Sequence, residues 1–559
     1  MSPRRRDALL PLGLTAGLAV ATALLRAAAS APAPAPAPAA SPAPAPPTPP
    51  EGLLRYSVRD ADTGTPIPCK LTLVPAPGTP PLRMGRPDIG RAEGPAIAAG
   101  DRVFSLAGDG AVHVPFGTYD VWVSRGPEWD VWIARGVKIT AAETSLAAGL
   151  HHVIDTAGWL SADFHVHASA SFDSLVPMAD RIHEFVADGV DLIVSTDHNV
   201  VTDYAPLIAE LGVRDVIAAA SGDEITTKKW GHFGAFPLPL DTDMPGNGAV
   251  AVKGRTAAAI LGEVRSAAPA ALIDVHHPRL TVPKGRIGYF DWADFDAAAD
   301  RAGRAGFSWD FDAVEVLNGY QDAERKSVDR VIADWFALIE HGHLAAATGN
   351  SDTHHLSYNL GGYPRNYVAL ADDRPAAVLP AAVAAAVKAR HSFFTTAPFV
   401  RVTAVGAGGV GVVAAAGAPP ATGGIGDVVF AAGGKARLSV EVDAAPWVSV
   451  GLVRVYVGGK EAKRWTLKPS TAVVRLLDGF DVKVKRDSFV VVRVDGDKPL
   501  APVVGGRADG PTPKSFGEEG RPFEVLPFAM TNPVFIDVDG NGKYDAPHAA
   551  APAAAPPPL

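Results

Sequence analysis

Eleven of the sixteen histidines of this 559-residue chain fall between His165 and His355, roughly a third of its length, so imidazole is used there for more than filling space. Carboxylates accompany them where strand-like runs end: Asp163-Phe164-His165-Val166-His167, Ser195-Thr196-Asp197-His198, Gly222-Asp223-Glu224, Asp274-Val275-His276-His277-Pro278 and Gly349-Asn350-Ser351-Asp352-Thr353-His354. Side chains alternate along a strand, so His165 and His167 share one face and can grip one cation together. Five such clusters make a poor apolar core, because a buried carboxylate without a partner is costly. The chemistry they predict is that of a metal centre. The chain has no Gly-x-Ser-x-Gly elbow and no phosphate-cradling glycine loop, and its single cysteine, Cys69, lies outside the histidine-rich region. Metal-activated water is therefore the expected nucleophile.

The elements that must position these groups follow from the patterning. From Gly158 to about Pro398, apolar strand-like runs alternate with amphipathic stretches. Leu175, Met178, Ile182 and Phe185 mark one helix face, and Asp191–Val194 reads as the strand after it. This predicts an α/β unit over residues 158–398, with a mostly parallel sheet or barrel whose C-terminal strand ends carry the site. Residues 51–157 hold short alternating runs such as Leu54–Val58 and Lys70–Val74, with turn clusters like Asp62-Thr63-Gly64 between them, and read as an N-terminal β-sandwich domain. Residues 399–546, with runs such as Arg437–Val442, Leu452–Val457 and Ser488–Val494, read as a C-terminal β-rich domain.

The ends are of another kind. Arg4, Arg5 and Arg6, an apolar run from Ala8 to Leu25 and the small residues Ala27, Ala28 and Ala29 follow the order of a secretory signal peptide over residues 1–30. An uncleaved membrane attachment through that segment is the alternative, since the run is near the minimum for a span. Residues 31–50 are an Ala/Pro-rich linker, and residues 547–559 are expected to be a disordered tail. The body is then exported, periplasmic or extracellular. With one cysteine an intramolecular disulfide is excluded, and Cys69, in an apolar run, is expected to be buried and inert. A net charge of −9 with 47% hydrophobic residues describes a globular protein, and nothing in the composition is basic enough to predict nucleic-acid binding.

The stretches DFHVHASASFDS, STDHN, GDEITT followed by GHFGAFP, HHPR, DAVEVLNG and GNSDTHH, in this order, resemble the PHP superfamily, named for polymerase and histidinol phosphatase. Within it they resemble the carbaryl-hydrolase-like CehA/McbA metallohydrolases, over Gly158 to Phe399. The resemblance implies a distorted (β/α)7-type barrel flanked by β-sandwich-like domains, with two or three divalent ions (zinc, manganese or iron) bridged by a carboxylate and a hydroxide. Carried over residue by residue, it assigns His165, His167, Glu224 and Asp352 to one ion. Glu224 as the bridge, with His232 and His277, would hold a second, and Asp173, His198 and His354 a third. Asp173 lies one residue further from the His-x-His pair than the aspartate of many members. Strand alternation allows only one of His276 and His277 into the site, and the family's ligand precedes a proline, which selects His277.

The implied activity is a metal-dependent hydrolase acting on ester, carbamate or amide bonds of a small molecule. The alternatives are a phosphoesterase, or a metal-containing surface binding protein without catalysis, suggested by the flanking β-domains. Asp352, beside Glu224, is the candidate to pass a proton to the leaving group. Asp197 and Glu315 are candidates to hold a ligand or a water, and Arg279 and Arg365 to hold a substrate oxygen. His183, His341, His343, His151, His152 and His391 read as structural or exposed. Near the C-terminus Asp537, Asp539, Asn541 and Asp545 set oxygen ligands around two glycines as calcium loops do, without the distal glutamate; a plain Asn-Gly turn is the alternative.

Overall fold

Alternating side chains make the first strand, Glu51–Asp60, amphipathic: Leu54, Tyr56 and Val58 point inward. It is the middle strand of a three-stranded sheet, between Asp109–Pro115 and Thr144–Leu150. A six-stranded sheet packs with it around Leu71, Leu73, Val103 and Val121, so the two sheets share one core. Cys69 lies in that core, where burial pushes its thiol up to about 12, so it carries no reactive thiolate at neutral pH. The computed structural model describes residues 50–549, except 81, 83, 85–90, 94, 283–284, 322–324, 408–419 and 508–521. Residues 1–49 and 550–559, which hold the signal-like segment, nearly all of the linker and most of the tail, lie outside the described residues. Among the described residues no helix is long and apolar enough to cross a membrane. The described residues cluster as one compact unit.

The (β/α)7-type barrel is not what the chain forms. Strands account for about 40% and helices for about 15%, and the described residues contain six α-helices, two of them only six and four residues long. Apart from two short two-stranded ribbons, Thr281–Val282 with Gly285–Arg286 and Phe295–Asp296 with Arg301–Ala302, the strands between Trp159 and Thr395 fall into two sheets. One has five strands in the order Asp223–Thr226, His232–Phe236, Leu272–His276, Ala313–Asn318, Ala346–Asn350. The other has eleven strands. Its path runs from Ala218–Ala220 through Leu192–Ser195, Trp159–Val166, Arg365–Ala369 and Ser392–Thr395 to Phe528–Thr531 and Ser488–Asp495. It therefore continues past residue 398 into the C-terminal strands, with Phe393 opposite Thr531 and Thr395 opposite Ala529.

The expectation failed at the connections. Asp223–Thr226 and His232–Phe236 are joined by five residues, Thr227 to Gly231, and such a tight turn forces antiparallel pairing. No helix lies between Asn350 and Arg365, whose strand runs antiparallel to Trp159–Val166. Apolar runs report burial, not direction, so the pattern could not separate hairpin from crossover. The helix after His167 also begins later than its apolar face suggested. It spans Met178–Ala187 behind Pro177, buries Ile182 and Phe185, and leaves Leu175 outside it, 64% exposed. The apolar faces of the two sheets share a core that includes Phe164, Val194, Phe236, Leu272, Ala313 and Ala346. The polar strand ends beyond that core carry the site.

Candidate metal centre

His165 lies at the end of Trp159–Val166 and His167 just beyond it, both fully buried, with ring centroids 5.1 Å apart. Backbone bonds lock this end to the loop after Asn350: Asp352 N–H donates to His165 O (2.9 Å) and His167 N–H to Thr353 O (3.1 Å). Asp352 adopts φ 52° there and His277 φ 28°, left-handed conformations that are strained for residues with a Cβ and that aim both side chains inward. Antiparallel register sets His232 beside Thr226 on one side and His276 on the other. His198 bridges to Glu224 through backbone pairing, and Asn199 ties the same loop to Thr226 through two side-chain hydrogen bonds.

The centre of this arrangement is Glu224. Six imidazole nitrogens approach its carboxylate: His198 Nδ1 at 2.6 Å, His165 Nε2 at 3.0, His276 Nδ1 at 3.1, His232 Nδ1 at 3.2, His277 Nε2 at 3.3 and His167 Nε2 at 3.7. Four of them face Oε1, yet a carboxylate oxygen has about two lone pairs to offer. The buried Nε2 atoms of His165 and His167 make no aligned hydrogen bond, although each also lies 3.2 Å from Asp352 Oδ1. Asp173 completes the far side, with Oδ2 3.0 Å from His198 Nε2 and Oδ1 3.4 Å from His354 Nε2.

All nine predicted ligands thus meet in one place, in groups whose donor atoms lie within 4.8 Å of one another: His165, His167 and Glu224; His165, His277 and Asp352; His198, Glu224 and His232; His167, Asp173, His198 and His354. These His/Asp/Glu clusters could hold a metal ion. The donor set fits divalent cations, since imidazole and carboxylate converge and two ligand nitrogens are otherwise orphaned.

One expectation about the ligands fails. His276 and His277 both reach Glu224, because the strand ends at His276 and the positive φ of His277 turns its ring back. His276 stacks on His165 with centroids 3.6 Å apart and lies against Gly234, where an added Cβ would come within 2.2 Å of its Nε2.

The electrostatics follow from crowding. Burial opposes ionisation of Glu224, but His232, His198 and His165 outweigh it and hold its carboxyl well below the usual range. Burial also opposes charging of His198, yet Glu224 and Asp173 carry it up to about 10. His276, buried and beside His165, is pushed down to about 4.

Glu315 supports the centre from behind. Its Oε1 accepts hydrogen bonds from His165 Nδ1 (2.9 Å) and Asn350 Nδ2 (3.0 Å), while Oε2 accepts from the His277 N–H (2.7 Å) and Asn318 Nδ2 (3.0 Å). A carboxylate behind a ligating histidine fixes its tautomer and raises its basicity. Glu315→Gln is expected to weaken metal binding about 10–100-fold, which competition with a chromophoric chelator would measure. Asn318 and Asn350 escaped sequence reasoning. Asn318 also donates to Asp352 Oδ2 (3.1 Å), and its only signal was a polar residue closing an apolar strand.

Three other candidates lie elsewhere. Asp197 does not touch a ligand side chain; it accepts from Ala168 N–H and Thr202 Oγ1, both at 2.7 Å, and so holds the backbone after His167. Arg365 is fully buried and caps the carbonyls of Gly362, Gly189 and Asp188. Arg279 pairs with Asp334 and Asp291. Strand-end position suggested all three, but burial against carbonyls or carboxylates leaves no group free for substrate. In the C-terminal loop, Asp537 accepts the Gly540 and Gly542 N–H groups, as a turn requires, and Asn541 donates to Asp539 and Asp545.

Compared with protein-family models, curated proteins and solved structures, the chain gives no significant match.

Proposed function

We propose that this chain is an exported metal-dependent hydrolase of the PHP superfamily, CehA/McbA type, that cleaves ester, carbamate or amide bonds of a small molecule with water as nucleophile. The observation that carries the reading is the convergence of four imidazole nitrogens on Glu224 Oε1, more than hydrogen bonding can satisfy. The motif order supports the family; the sheet architecture described above does not, so the proposal rests on the site.

His165, His167, Glu224 and Asp352 would hold one cation, Glu224, His232 and His277 a second, and Asp173, His198 and His354 a third. Zinc, manganese or iron in these positions would lower the pKa of water and polarise the oxygen of the bond attacked. Asp352 would move a proton from the water to the leaving group; the Asn318 bond to its Oδ2, with Oδ1 facing His165 and His167, supports that role. Asp173, with its side chain about one-third exposed, marks the open edge where substrate enters.

Metal analysis of the full chain, paired with hydrolysis of 4-nitrophenyl acetate and bis-4-nitrophenyl phosphate before and after chelation, tests this. Two or three ions per chain and chelator-sensitive cleavage of the carboxyl ester are the expected result. Cleavage of the phosphodiester alone would make it a phosphoesterase, and bound metal without turnover a binding protein.

A further inference from the structure

Beside the metal centre a cleft of about 990 Å³ opens, roomy enough for a drug-sized molecule. Its near end is shared with the centre. Thr226 lines it and hydrogen-bonds with the His198 ring, and Phe172, 78% exposed, stacks on the same ring at 4.6 Å. Its far side is cationic. Lys228, Lys229, Lys253 and Arg304 line it, and none of the four makes an ion pair among the described residues. A fifth base, Arg255, is neutralised by Glu263. The lining contains no aspartate or glutamate, in a chain whose net charge is −9.

Arg304 is fixed by stacking over Trp230, 4.3 Å from the ring centroid, and by donating to the Lys229 carbonyl. A one-signed cleft concentrates the opposite charge. Phe172 at the mouth adds flat apolar surface next to that charge, while Trp230, buried behind Arg304, holds the guanidinium in place.

We propose that the substrate carries, apart from the bond cleaved, an anionic oxyacid group on an aromatic or apolar body, and that Lys228, Lys229, Lys253 and Arg304 receive that group. This deepens the hydrolase reading and rests on it for the reacting end. The neutral pocket that a simple aryl ester or carbamate needs would not gather four unpaired cations.

The test is calorimetric titration of the full-length protein with naphthalene-2-sulfonate and its neutral counterpart, 2-naphthol. Naphthalene-2-sulfonate is expected to bind at least about tenfold more tightly, with the margin closing as ionic strength rises. Lys228→Glu/Lys253→Glu should erase the margin and leave 2-naphthol binding and metal content unchanged. Equal affinities for the two probes, or a margin that survives the double substitution, overturns the proposal. Binding needs no turnover, so these outcomes are read independently of whether the chelation experiment finds hydrolysis.

Discussion

Glu224→Gln is expected to lose at least one equivalent of bound metal and about 10³-fold in hydrolysis, with the fold retained. The substitution keeps the volume of the side chain and removes only its charge, so the effect isolates what the carboxylate does among six imidazoles. A neutral amide is a poor bridge between cations, and losing several kcal/mol of charge stabilisation in the transition state corresponds to about three decades of rate. Metal per chain by plasma emission and kcat/KM on the better ester are the measurements. Full metal content with activity within tenfold of the parent would mean that Glu224 is a hydrogen-bond hub and that the histidines around it are structural.

The second large effect is on stability. Lys70, in the strand Cys69–Pro75 of the N-terminal sandwich, is completely buried, with Nζ 2.6 and 2.8 Å from the two oxygens of Asp188, also completely buried. Burial lowers the Lys70 pKa and Asp188 works against that, so the two charges depend on each other. Tyr363 donates to Asp188 Oδ1 at 3.0 Å. Asp188 closes the helix Met178–Ala187, whose Arg181 donates to the His167 carbonyl at 3.1 Å. Lys70→Ala strands a buried carboxylate, a change that costs about 3–5 kcal/mol. That is a large share of the roughly 5–15 kcal/mol that holds a domain together. Replacing both partners, as Lys70→Met/Asp188→Leu, should recover much of the loss, because no uncompensated charge remains. Denaturant midpoints of the two variants decide it. A single variant within about 1 kcal/mol of the parent would show that water reaches Asp188 and that the pair is not the tie between sandwich and site.

The site was far more legible than the fold. A candidate ligand announces itself locally: His165 and His167 at period two, and Asp352 and His354 at the same spacing, are legible without knowing what lies opposite. The supporting asparagines, Asn318 and Asn350, were not, because an amide at a strand end has many uses and only its partners distinguish them. Arg365 and Asp197 show the converse. Position in the sequence put them at strand ends, and their hydrogen bonds to backbone groups turned them away from the substrate side.

From the sequence alone came the histidine- and carboxylate-bearing stretches that form the clusters, the strand-rich character of the flanking regions and the burial of Cys69, all of which depend on local residue type and apolar alternation. The tertiary structure decided how strands pair, and so replaced an expected barrel by two sheets, one of which extends into the C-terminal strands through Ser392–Thr395. It also decided that His276 and His277 both face Glu224 and that four cations with no acid among them line the cleft beside it. Pairing direction, a backbone turned to positive φ and the charge balance of a cleft all depend on residues distant in the chain, and no local pattern encodes them.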